Sequence, residues 1–83
     1  MDDNKKSIDY LRTILDRLDA DLIQTLEDRR NVSRELGTLK GHACIINMVE
    51  FVRRRDNYQE KLGQLGKRVY LLIHDDSVEL QKR

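Results

Sequence analysis

Apolar residues recur along the first half of this chain on a seven-residue repeat. One line of the repeat holds Ile8, Leu15, Leu22, Arg29 and Leu36. Its companion line holds Leu11, Leu18, Thr25, Val32 and Leu39. This spacing predicts a long helix from Lys5 to Leu39 with one continuous packing face. At the usual rise per residue it spans roughly 50 Å. Ser7 is the expected N-cap, although Asp2 or Asn4 would serve as well, and Asp9 suits the first turn. Gly37 and Gly41 bracket the expected helix end. Arg29 is the charged interruption of the seam. A cation there is costly unless an anionic group meets it or its head reaches solvent.

After Gly41 the stretch to Cys44 reads as a loop, with Ile45 and Ile46 expected to tuck under the next helix. A second helix is expected from Asn47 to Leu62. Asn47 is its N-cap and Glu50 stands three residues on, a variant of the capping box. Met48, Phe51, Val52, Tyr58, Leu62 and Leu65 form its apolar face. Gly63 and Gly66 predict a tight turn. A third helix follows from Lys67 to Gln81, with a seam of Val69, Tyr70, Ile73, Ser77 and Leu80. Two short helices cannot cover the long seam, and small domains have little stability to spare. The expectation is therefore an all-α protein with three helices per subunit, one domain over residues 1–83, and an intertwined homodimer.

Composition narrows the function. Charged residues make up 37% of the chain, yet the net charge is only +1. No global field favours nucleic acid or an anionic membrane. The start, Met-Asp-Asp-Asn-Lys-Lys, lacks the apolar core of a secretory signal, and no apolar run reaches membrane-spanning length. The single Cys44 has no partner for an intramolecular disulfide, so the expected compartment is the cytoplasm. His42 and Cys44 alone are a weak metal signal without a second ligand pair.

A set of polar residues interrupts or borders the packing faces: Arg12, Arg29, Lys40, Ser77 and Gln81, with Arg53-Arg54-Arg55 in the second helix. Arginine binds carboxylate in a bidentate fork, and lysine and glutamine supply further donors. The set suits a small dicarboxylate, although a run such as Arg53–Arg55 is also a common solvated face. No Ser/His/Asp or Cys/His set and no Gly-rich phosphate loop is visible, so covalent or metal-assisted catalysis and a cofactor are not expected.

These residues bear a family likeness. Leu11-Arg12-x-x-x-Asp16-x-x-Asp19-x-x-Leu22, then Arg29-Arg30, then Gly37-x-x-Lys40 resembles the first helix of the all-helical chorismate mutase family. Asp76-Ser77-Val78-x-x-Gln81 resembles that family's last active-site turn. The short length looks like the compact stand-alone form, some members of which work with a partner enzyme of the shikimate pathway. The resemblance implies conversion of chorismate to prephenate at two sites, each shared between first helices of a dimer. It implies that Arg12 of a second copy and Arg29 hold the two carboxylates. Lys40 and Gln81 would donate to the ether oxygen, Ser77 would assist a carboxylate, and Arg53 would line the site.

Two departures stand out. The family usually carries a carboxylate directly after the second-helix arginine, opposite the substrate's ring hydroxyl. Here that position is Arg54. The loop lacks the family's proline, and only Glu50 is available as its acid. These differences predict weak mutase activity. They leave room for an isochorismate pyruvate lyase, or for a regulatory helical dimer that docks on a shikimate-pathway enzyme.

Overall fold

The computed structural model describes residues 3–42 and 47–83, with side chains from residue 7 onward. The expected roles of Cys44, Ile45 and Ile46 fall outside the described residues. Helix α1 runs Asp3–Leu39, 37 residues. It starts two residues before the expected Lys5, so Ser7 lies inside the helix and is not its cap. Its C-terminus closes in a Schellman motif. The His42 N–H donates to the Gly37 carbonyl at 2.6 Å, and the Gly41 N–H donates to Thr38 at 3.1 Å. Gly41 sits at φ 65°, the left-handed conformation that glycine enters without steric cost.

Helix α2 runs Met48–Lys82. Asn47 caps it: its side-chain oxygen accepts from the Glu50 N–H at 3.2 Å. The Glu50 carboxylate turns instead toward Arg53 and Arg54, so only half of the expected capping box forms. Within α2 the backbone breaks at Gly63, φ 64° and ψ −142°, a region essentially reserved for glycine. The chain folds back there. The Phe51 and His74 rings are 4.4 Å apart, whereas a straight helix would separate those residues by about 35 Å.

The architecture is thus two helical elements, where three were expected. Of the two glycines expected to make the turn, Gly63 alone reverses the chain, and Gly66 lies beyond it in the return limb. Gly66 is buried in the return limb, where an added Cβ would lie 2.0 Å from the Tyr58 carbonyl oxygen. Tyr70 and Leu80 are the buried apolar residues, 1% and 3% exposed. Phe51 and Tyr58 close on Tyr70 with ring centroids 5.8 and 5.0 Å away.

Helix α1 meets the return limb of α2 through small residues. A Cβ on Gly37 would lie 2.6 Å from the Gln81 carbonyl oxygen. Gly37 and Gly41 do bracket the helix end at Leu39, and Gly37 is in addition a point of close helix approach. One turn earlier Ser33 is buried and shares a 2.6 Å hydrogen bond with Ser77.

The leucine line stays bare. Ile8, Leu11, Leu15, Leu18 and Leu22 are each more than half exposed. The described chain measures 61 × 24 × 13 Å with a radius of gyration of 17.3 Å, against about 12 Å for a compact domain of this length. Its accessible surface is 6930 Å², where a folded monomer of this mass exposes about 5200 Å². No helix among the described residues is long and apolar enough to cross a membrane.

Candidate functional site

A cavity of about 380 Å³ opens between the C-terminal half of α1 and both limbs of α2. That volume lies in the range of small-molecule sites. Helix α1 contributes Arg29, Val32, Ser33, Leu36 and Lys40 to its wall. The outgoing limb adds Asn47, Glu50, Phe51 and Arg54, and the return limb adds Tyr70, His74, Ser77, Val78 and Gln81. Helical spacing explains each set: residues three and four apart share a face.

Of the residues expected at a site, the structure brings together Arg29, Lys40, Glu50, Arg54, Ser77 and Gln81. Two are elsewhere. Arg53 does not line the cavity; its guanidinium binds the Glu50 carboxylate at the helix surface. The reason is helical phase. Asn47, Glu50 and Arg54 lie on one face, and Arg53 is turned about 100° from Arg54. Arg12 lies some 25 Å along α1 from Arg29, beyond the reach of this chain's own cavity.

A hydrogen-bond chain crosses the cavity wall. Lys40 Nζ donates to Gln81 Oε1 at 3.3 Å, and Gln81 Nε2 donates to Ser77 Oγ at 3.2 Å. Ser77 shares its hydroxyl contact with Ser33. Gln81 is 9% exposed, so its amide is a fixed strut that orients the lysine. An ammonium has three donors, and the Gln81 contact occupies one of them.

The charge balance is positive. Arg29 is half-buried, yet among the described residues no carboxylate pairs with it. Arg54 reaches Glu50 at 3.4 Å. The Arg53 hydrogen bond, then the Coulombic pull of Arg53 and Arg54, holds the Glu50 carboxyl below its ordinary value despite some burial. Glu50 therefore stays ionised, and Arg29, Lys40 and Arg54 against Glu50 leave two excess positive charges. Among the described residues no cluster of three or more His, Cys, Asp or Glu is placed to hold a metal ion.

Ser33, His74, Phe51 and Tyr70 were not singled out in the sequence. The signal for Ser33 was available, because it stands four residues before Gly37 on the same helix face. His74 was legible as one turn before Ser77. Phe51 and Tyr70 read only as apolar seam residues. No protein-family model matches the chain, and neither the curated proteins nor the solved structures contain a significant match.

Proposed function

We propose that this chain is a chorismate mutase of the all-helical type, working without a cofactor as a homodimer on a small dicarboxylate. The carrying observation is the convergence of Arg29, which has no acidic partner among the described residues, with Lys40 and Arg54 on one cavity. Two excess positive charges match a dianion. The reaction is a pericyclic rearrangement and needs no acid, base or nucleophile. The pocket has to hold a folded, near-attack conformer and stabilise charge on the breaking ether oxygen. Arg29 holds one carboxylate. Lys40, oriented by Gln81, donates one of its remaining N–H groups to the ether oxygen. Ser77 and Gln81 fix that corner of the site.

The dimer belongs to the same reading. The bare leucine line and the excess surface of about 1700 Å² over a compact monomer fit a second copy laid along α1. That copy's Arg12 would take the second carboxylate. Arg54 stands at the edge of the pocket where an acceptor for a ring hydroxyl would serve, and a guanidinium has only donors. Low turnover follows, with binding that weakens as salt rises.

The test is product identity. Incubation with chorismate should yield prephenate. Salicylate and pyruvate from isochorismate would replace the mutase by a pyruvate lyase. No turnover of either compound would leave a non-catalytic module, one that docks on a shikimate-pathway enzyme.

A further inference from the structure

Among the titratable groups that line the cavity, the proposed reaction gives no role to Glu50, Tyr70 or His74. His74 lies one turn before Ser77 on the return limb and lines the same cavity. Its ring is held edge-to-face on Phe51, centroids 4.4 Å apart at 75°, and lies 6.0 Å from Tyr70. These contacts hold the ring against the aromatic cluster. Among the described residues no group hydrogen-bonds its nitrogens. A ring anchored by stacking, with uncommitted nitrogens at a cavity wall, is oriented for a ligand.

We infer that the His74 imidazole is a ligand-binding group of this cavity, donating to a carboxylate of a dianionic ligand and binding it more tightly when protonated. The inference rests on reading the cavity as an anion site. The charged groups that line the cavity with His74 are Arg29 and Lys40 from α1 and Glu50 and Arg54 from the outgoing limb. Arg55 lies over the Phe51 ring at 5.8 Å. On its own limb, Asp76 is engaged by Arg30 at 3.1 Å. A bound dianion attracts a positive charge placed beside it, so protonation of the ring and ligand binding assist each other.

Fumarate is a suitable probe, because both its carboxyls are ionised above mildly acidic pH. Imidazoles change charge between about pH 5 and pH 8. Fumarate affinity of the full chain, measured by calorimetry, should be about fivefold higher at the acidic end. His74→Gln should bind weakly at both ends, and His74→Lys should bind tightly at both. His42→Gln, outside the cavity, should keep the pH response. On the unaltered protein, the NMR titration midpoint of the His74 ring should rise by about 0.7 of a pH unit with fumarate bound, the reciprocal of that fivefold effect. This holds even if a variant fails to fold.

A pH-flat affinity, a His74 midpoint unmoved by fumarate, or no fumarate binding at either pH would overturn the inference. Prephenate formation alongside a pH-flat affinity would discard the His74 role and keep the mutase. A pH-dependent affinity without turnover would do the reverse.

Discussion

Helix α1 carries two lines of residues with opposite fates. The line of Leu11, Leu15, Leu18 and Leu22 holds large apolar side chains and is exposed. The line of Ser33 and Gly37 holds almost no side chain and is buried. Within one chain, backbone proximity has won over apolar area. Small residues let α1 approach α2 closely enough for Ser33 to meet Ser77, and that approach sets the cavity wall. The large residues point where this chain has nothing to offer. The lesson is that a strong hydrophobic repeat marks a contact without saying whose contact it is.

The comparison breaks most visibly at Leu22. In a lone chain Leu22→Asp removes little, because Leu22 is 54% exposed. If a second copy covers the line, the same change buries an unpaired carboxylate and should unfold the protein. Circular dichroism with light scattering distinguishes the two. A folded, compact Leu22→Asp monomer would end the dimer reading.

The small-residue line is tested at Gly37. Alanine there improves helix propensity by about 1 kcal/mol, but its Cβ would collide with backbone at Gln81. Overpacking costs about 1–3 kcal/mol or more, and backbone cannot rotate away, so the net change should be destabilising. A urea midpoint equal to or above that of the parent would contradict the close approach.

The cavity between α1 and the two limbs of α2 is probed by Lys40→Ala. Lys40 is exposed at the end of α1, so folding should persist. Turnover of chorismate should fall on the order of 100-fold, the usual cost of one preorganised donor. Retained kcat would remove Lys40 from the mechanism.

Arg54→Glu should act more gently and in the opposite direction. Arg54 lines the cavity while Arg53 does not, so replacing Arg54 restores an acceptor at the wall. The expected gain in kcat/KM is about tenfold, the size of one hydrogen bond to a charged group. Arg53→Ala should leave kcat/KM nearly unchanged. The reverse ranking would overturn the helical phase described here.

The smallest effect concerns Glu50. Its carboxyl is held below its ordinary value by Arg53, so the ion pair stabilises the fold above the unfolded carboxyl's pKa. That contribution disappears as pH falls through the lower, folded value. The pair is solvent-exposed, so the contribution is small. Glu50→Gln should lower the urea midpoint slightly near neutrality and not at all in strong acid. An equal difference at both would exclude the ion pair as the cause.

The sequence by itself determined the helical class, the length of α1, the Asn47 cap and the glycine at the chain reversal. Each depends on periodicity or on a single residue's backbone chemistry, which are local. The grouping of Arg29, Lys40, Ser77 and Gln81 was also legible, through motif spacing. Tertiary structure alone decided the rest. It made Gly37 a contact point, because close approach is a property of two helices and not one. It chose Arg54 over Arg53 for the cavity wall, since helical phase on α2 depends on how its limbs pack around Tyr70. It brought His74 to the cavity by folding the return limb onto Phe51, a pairing of residues far apart in sequence that no local pattern encodes.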